Sequence, residues 1–399
     1  MYNVRKVTED ITWVGASDRR LALFENIFPI KRGVSYNAYV LKDEKTVLLD
    51  TVDASVAGQF FENLEFVLGD SKLDYLVVNH MEPDHCAMIG DIVRRYPDVK
   101  IIGNTKTFGM MTQFFGTDFS DRAVVVKEGD TLSTGKHTLH FVMAPMVHWP
   151  EAMVTYDDAD KVLFSADGFG TFGALNGNIF ADEVDFDRDW LDDARRYYTN
   201  IVGKYGASVQ ALLKKAAGLD IAVICPLHGP VWRENLGYIL EKYQKWSTYE
   251  AEDQAVVIMY ASMYGNTASA ADALAGTLAA RGIKKIAVYD VSNTHVSELI
   301  SEIFRASHLV FAVPTYNGGI YPIMENLLSD MKALAVQKKT VAVMENGTWA
   351  PTAAKQVREK FSELKDMTIL DTQVTVKSAM HADQRKDLDV LADAIVGTL

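Results

Sequence analysis

Four potential metal ligands fall within six residues: His80, Glu82, Asp84 and His85, in the stretch HMEPDH. Imidazoles interleaved with carboxylates at this density have no use in packing, because buried charge needs a partner. They suit metal binding. Three further polar residues stand at the ends of apolar runs. His148 follows HTLHFVMAPM, Asp167 closes VLFSAD, and His228 follows IAVICPL. If these runs are neighbouring strands, their C-terminal ends converge. Four histidines and three carboxylates are too many for one tetrahedral zinc. They suit two metals with four or five protein ligands each, Asp167 bridging. Imidazole mixed with hard carboxylate favours iron or manganese over copper or a thiolate-loving ion. Alone, His148 or His228 would more often be a core or surface histidine, and Asp167 a turn cap. The HMEPDH cluster raises all three above that background. His137 and His140 share one strand pattern and read as structural. Cys86 reads as a small buried residue. His295, His308 and His381 lie far along the chain and read as unrelated to the metal.

A second constellation lies beyond residue 250. The stretch SMYGNT (262–267) is a small-residue turn between a strand and a helix. Such a turn gathers backbone N–H groups and a helix N-terminus at one point, which is an anion site. Ser262 and Thr267 add hydroxyls, and Gly265 permits close approach. No Walker lysine is present, so a terminal phosphate monoester fits better than a nucleoside triphosphate. Two more loops follow apolar strands: PTYNGGIYP (314–322) and MENGTWAP (344–351). In an open α/β sheet, ligands sit outside the C-terminal ends of the strands. Tyr316 and Trp349 on these loops are placed to bracket a planar ring. Read singly, each loop is a connector with glycine at a positive-φ position.

The elements that must position these residues alternate along the chain. Residues 35–52 read as two strands joined by a DEK turn, and LDYLVVNH (73–80) as a buried strand entering HMEPDH. A helix pattern covers 87–96. Strands are expected at 99–104, 122–127, 137–144, 152–156, 161–166 and 221–229. Residues 185–217 read as two helices with YGAS between them, and 233–248 as another. From Glu252 onward five strands alternate with five helices, the pattern of a doubly wound parallel sheet. The expected domains are 1–250 and 251–399. The 399 residues carry a formal net charge of −13, which argues against nucleic acid and against an anionic membrane surface as partners. No apolar run is long enough to span a bilayer, and the N-terminus lacks a signal-peptide pattern, so a cytoplasmic protein is expected. Two cysteines, Cys86 and Cys225, allow neither a disulfide framework nor a four-cysteine iron module.

HMEPDH resembles the HxHxDH loop of the metallo-β-lactamase fold, with Glu82 where hydrolases carry a second histidine. With His148-Trp149-Pro150, Asp167 and His228, it resembles the flavodiiron proteins. The later loops resemble flavodoxin, and both halves occur in the order of that family. The resemblance implies an α/β fold: an N-terminal metallo-β-lactamase-like αββα sandwich, then a flavodoxin-like doubly wound parallel sheet. It implies two non-haem irons per chain. His80, Glu82 and His148 would bind one, Asp84, His85 and His228 the other, and Asp167 would bridge them. It also implies FMN. Ser262, Met263, Gly265, Asn266 and Thr267 would hold its phosphate. Pro314, Thr315, Tyr316, Asn317 and Gly318, with Asn346, Gly347, Thr348 and Trp349, would hold the isoalloxazine.

The activity so implied is reduction of O2 to water, of NO to N2O, or of both. Electrons would come from a rubredoxin or similar carrier, since the chain has no such centre of its own. A head-to-tail homodimer, or a dimer of such dimers, is implied as well. Tyr198 resembles a family tyrosine beside the irons, where its phenol could hydrogen-bond bound substrate; the plain reading is a tyrosine on an amphipathic helix with its neighbour Tyr197 in the core. Two departures stand out. Tyr264 replaces a threonine common in simple flavodoxins, and LFENIFPIKRG lacks a histidine found in many relatives, with Glu25 as its candidate replacement. The competing reading is a zinc hydrolase of the metallo-β-lactamase class fused to a flavodoxin-like electron-transfer domain. A non-catalytic electron carrier is a third.

Overall fold

The structure, a computed structural model, describes all 399 residues. Contacts divide the chain into two compact units. One comprises Met1–Tyr198 with Ala207–Gln244, the other Thr199–Gly206 with Lys245–Leu399. No helix is long and apolar enough to cross a membrane.

The first unit is built on two sheets. The larger runs Arg5–Lys6, Ile11–Trp13, Tyr39–Leu41, Val47–Leu49, Tyr75–Val77, Lys100–Gly103, Ala123–Val125. Its first four strands pair antiparallel, and from Val47–Leu49 onward the pairing is parallel. The smaller runs Thr131–Ser133, Thr138–Met143, Met153–Asp157, Val162–Phe164, Val223–Cys225. Side chains alternate across a strand. Trp13, Tyr39, Leu41, Val47, Leu49 and Val77 from one sheet therefore meet Leu139, Phe141, Met153, Phe164 and Cys225 from the other in one apolar core. This is the expected sandwich. Two helices, Ala57–Leu68 and Thr105–Phe115, were not anticipated. The break expected at YGAS lies earlier, where a wide turn at Tyr198–Val202 and a tight one at Gly203–Tyr205 precede the helix Gly206–Ala216.

The second unit has one sheet whose five parallel strands are ordered Ile286–Asp290, Asp253–Tyr260, Ala306–Tyr316, Thr340–Asn346, Thr368–Val376, with the short Gly319–Ile320 paired antiparallel to Ala306–Tyr316. Alternate residues feed opposite faces. Val257, Met259, Phe311 and Val343 pack on helices Val296–Arg305, Pro322–Ala333 and Ala353–Ser362. Val256, Ile258, Val310 and Ala342 pack on Asn266–Ala280 and Arg385–Val396. This is the doubly wound sheet expected, and its strand order reverses beside Asp253–Tyr260, where such folds bind ligands.

Candidate metal centre and flavin site

The seven residues singled out as ligands come together at the strand ends of the first unit. His80 leaves the strand Tyr75–Val77, and His85 sits in the one-turn helix Pro83–Cys86 that follows. Asp167 follows Val162–Phe164, and His228 follows Val223–Cys225. The ligand atoms form two groups. In the first, His80 Nε2 lies 3.3 Å from Glu82 Oε2 and 3.1 Å from Asp167 Oδ2. His148 Nε2 lies 3.0 Å and 3.2 Å from the same two oxygens. In the second, His85 Nε2 lies 3.4 Å from Asp84 Oδ2 and 3.2 Å from Asp167 Oδ1. His228 Nε2 lies 3.3 Å and 3.6 Å from those atoms. Asp167 therefore gives one carboxylate oxygen to each group.

This set fits a pair of metal ions. Both oxygens of Asp84 and both of Asp167 are buried without a hydrogen-bond partner. His85 Nε2 and His228 Nε2 point at one another across 3.0 Å. Buried carboxylates without donors and two nitrogens tip to tip are costly unless a cation lies between them. Charge orders the protons accordingly. Burial alone would push His80 and His148 down, but the neighbouring carboxylates raise His80 well above the ordinary histidine range and His148 to about 9. Burial likewise opposes ionisation of Asp167, yet the surrounding imidazoles hold it well below the usual carboxylate range.

Aromatic side chains enclose the cluster. Phe24 and Tyr36 meet His228 edge-on at 5.5 and 5.7 Å, and Trp149 meets His80 at 5.4 Å. The tyrosine against the cluster is Tyr197, its ring 5.4 Å from His228. Tyr198, the residue singled out in the sequence, packs instead on Tyr243 at 5.0 Å. Tyr197 ends the regular helix Leu191–Tyr197 and Tyr198 opens the wide turn that follows, so the two neighbours point in different directions. Burial first, and the charges of Asp167 and Asp84 second, hold the Tyr197 phenol protonated, so it is a donor. Glu25 sits at the tip of the hairpin joining Leu23–Phe24 to Phe28–Pro29. The residue as a whole is exposed, while its carboxyl lies beside that of Glu82. Loss of solvation there, and then the Glu82 charge, push it up to about 8.

Sequence reasoning missed the groups behind the ligands. Glu151 meets His80 Nδ1 at 2.9 Å, and the Ser35 carbonyl accepts from His228 Nδ1 at 2.8 Å. Glu151 follows directly on His148-Trp149-Pro150, so a signal was present. Ser35 acts through its backbone, which leaves no signal in residue type.

In the second unit, a cavity of about 450 Å³ opens between the three predicted loops. Every residue named for the flavin lines it except Gly265; Tyr264, Ala350 and Ser378 join them. Gly265 has φ +89°, a left-handed conformation suited to glycine, and caps helix Asn266–Ala280. Its N–H donates to Ser262 Oγ at 3.1 Å. Asn346 Nδ2 donates to Thr267 Oγ1 at 3.3 Å and to the Ser378 carbonyl at 3.0 Å, tying two loops together. Tyr264 and Trp349 stand almost fully exposed at the rim. The cavity has the size of a small-molecule site. Its helix N-terminus suits a phosphate and its aromatic rim suits a planar ring.

A sandwich holding a two-ion His/carboxylate cluster, joined to a flavodoxin-type sheet, defines a class of redox protein. Residues 34–229 match the ODP family beta-lactamase model, and residues 258–389 match flavodoxin. The nitric oxide reductase of Moorella thermoacetica is 32% identical over 375 residues, 93% of this chain and 92% of that one. The anaerobic nitric oxide reductase flavorubredoxin of Citrobacter koseri is 30% identical, over 96% of this chain and 78% of that protein. Among solved structures, rubredoxin oxygen:oxidoreductase from Desulfovibrio gigas superposes with a TM-score of 0.91 at 30% identity, covering 99% of this chain and 98% of that one. The chain belongs to the flavodiiron protein family.

Proposed function

We propose that this chain is a flavodiiron oxidoreductase that reduces O2 to water, NO to N2O, or both, at a non-haem diiron centre. The observation that carries the reading is Asp167, whose two buried, otherwise unpartnered oxygens each face one three-residue group. His80, Glu82 and His148 would hold one iron and Asp84, His85 and His228 the other, with Asp167 offering one oxygen to each. When bound, the two irons and FMN supply the redox equivalents, four electrons for O2 or two for a pair of NO molecules. The protein's own part is positioning and exclusion. Glu151 and the Ser35 carbonyl fix the tautomers of His80 and His228, leaving each Nε2 lone pair free for metal. Phe24, Tyr36 and Trp149 keep bulk water from the cluster. Tyr197 supplies the phenol proposed for this site, in place of Tyr198.

The flavin reading rests on the cavity and on the flavodoxin match. The Ser262–Thr267 turn holds the phosphate, and the loops at 314–318 and 346–349 hold the ring. A rubredoxin-like carrier is the electron donor, as the name of the Desulfovibrio gigas relative records for that protein. We further propose that the protein is cytoplasmic, that domains 1–250 and 251–399 carry the two cofactors, and that a head-to-tail homodimer, alone or paired, brings the flavin of one subunit to the irons of another.

The zinc-hydrolase reading loses ground. The relatives are named as reductases, and Glu82 stands where hydrolases of this fold carry histidine. Metal and flavin analysis of the purified protein tests this directly. Two irons and one FMN per chain are expected. Two zinc ions with no flavin reduction would overturn the oxidoreductase reading.

A further inference from the structure

The ligands divide evenly between the two groups. Each group has two imidazoles and one carboxylate of its own, and each takes one oxygen of Asp167. By direct ligands alone, two bound irons would be equivalent. What stands behind the imidazoles is uneven. His80 Nδ1 meets Glu151 Oε1 at 2.9 Å, with both side chains wholly buried. The same oxygen accepts the Met81 N–H at 2.8 Å, and Oε2 has no hydrogen-bond partner. Across the cluster, His228 Nδ1 donates to a neutral carbonyl, that of Ser35. His85 Nδ1 is buried with no partner. Of these three ring nitrogens only His80 Nδ1 therefore has a carboxylate as its direct partner; the buried Asp50 carboxylate meets the side-chain amide of Asn79 and the backbone N–H groups of Asn79 and His80, not a ligand ring. A carboxylate behind a ligating histidine makes the imidazole more basic and favours the more highly charged state of the metal. Burial keeps that effect from being screened.

We propose that Glu151 makes the two irons unequal: through His80 it stabilises the ferric state of the iron held by His80, Glu82 and His148. In the loaded protein the iron held by Asp84, His85 and His228 would then be the easier of the two to reduce, and the iron on the His80 side would take its electron at a lower potential. A carrier that delivers electrons singly thus meets a pair with a defined order of filling. Glu151 touches neither iron nor substrate and acts through His80, so it is a positioning residue. The inference rests on the diiron reading above.

The test uses the full-length holoprotein loaded with ⁵⁷Fe. Mössbauer spectra of the half-reduced parent are expected to show separate ferric and ferrous components. An averaged spectrum would overturn the inference with no variant needed. A redox titration followed by EPR should then resolve two one-electron steps. Glu151→Gln keeps the shape and removes the charge. It is expected to raise the lower-potential step alone, cutting the bias between the irons about tenfold, which for one electron is about 59 mV. Glu151→Asp keeps the charge and should restore part of the gap. Steps that both move together, or that stay fixed in Glu151→Gln with both irons retained, would overturn the inference. Should Glu151→Gln lose iron, the parent spectrum and Glu151→Asp decide the matter. A protein without redox-active iron would instead overturn the diiron reading itself.

Discussion

The chain enters the metal loop under the control of one buried carboxylate, and removing it should be expensive. Asp50 ends the strand Val47–Leu49 in a left-handed conformation, φ +58°. Its Oδ1 accepts the backbone N–H of Asn79 at 2.7 Å and of His80 at 3.3 Å. Its Oδ2 accepts the Asn79 side-chain amide at 2.8 Å. Asn79 in turn accepts from Thr155 Oγ1 at 2.7 Å, so the strand ends of one sheet are tied to the strand Met153–Asp157 of the other. Asp50→Ala strips the acceptor from three buried donors. A buried group left unpaired costs about 1–3 kcal/mol. Counting the long His80 contact lightly, the loss is about 4 kcal/mol, and the left-handed backbone adds roughly 1 kcal/mol for alanine. Asp50→Asn keeps one acceptor oxygen and tolerates that backbone, so it should cost about 1–2 kcal/mol. Urea unfolding of metal-loaded protein, followed by far-UV circular dichroism, gives both values. Iron content should fall in Asp50→Ala, because His80 loses its anchor. If the two variants unfold within about 1 kcal/mol of each other, the reasoning is wrong, since the hydrogen bonds would then not be what Asp50 contributes.

Three further outcomes follow from named contacts. Chelation of the metals should destabilise the first unit. Losing one ion present at about 1,000 times its Kd removes about 4 kcal/mol, or roughly 8–16 °C in a unit of this size, which calorimetry with and without chelator would read. Gly229, next to His228, has φ +75°, and a Cβ there would lie 2.1 Å from Thr171 Cγ2; Gly229→Ala should therefore lower both the melting temperature and the iron content, and an unaltered iron content would count against the placement of His228. Lys339 is buried, with its Nζ donating to the carbonyls of Phe304 and Ala306, and burial pushes its ammonium down to about 7. Between pH 7 and 10.5 the unfolded lysine binds more protons than the folded one, so stability should rise with pH in that window, by at most about 1.4 kcal/mol per unit. Lys339→Met should flatten that slope when parent and variant are unfolded in urea at pH 7 and pH 9, and equal slopes would refute the assignment.

The parts of this molecule that were legible in its sequence have a common character. HMEPDH announces itself because His80, Glu82, Asp84 and His85 crowd a stretch that apolar packing cannot use. The parallel sheet of the second unit is legible because its central strands are continuous apolar runs, such as AVVIM and HLVFAV, alternating with helical patterns. Tyr198 shows the limit. Adjacent tyrosines on a helix point about 100° apart, so only one can face the cluster, and the short motif RRYYTNI does not say which; it is Tyr197, the last residue of the helix Leu191–Tyr197, that lies against His228. Glu151 and Ser35 show another. Their partners lie 71 and 193 residues away, and one of them acts through a carbonyl that every residue possesses. The helices Ala57–Leu68 and Thr105–Phe115 carry apolar residues at helical spacing, but they bear no chemistry and sit between strands whose pattern is stronger.

The central claim is that electrons stored on FMN leave through a diiron site to O2 or NO. Mixing anaerobically reduced, iron-loaded protein with each gas, and following the flavin absorbance, tests it most directly. Flavin reoxidation by at least one gas is expected to be fast in the parent and slowed by orders of magnitude after the irons are removed, with FMN retained. Reoxidation at the same rate with and without iron would contradict the account, because the flavin alone would then be the site of reaction.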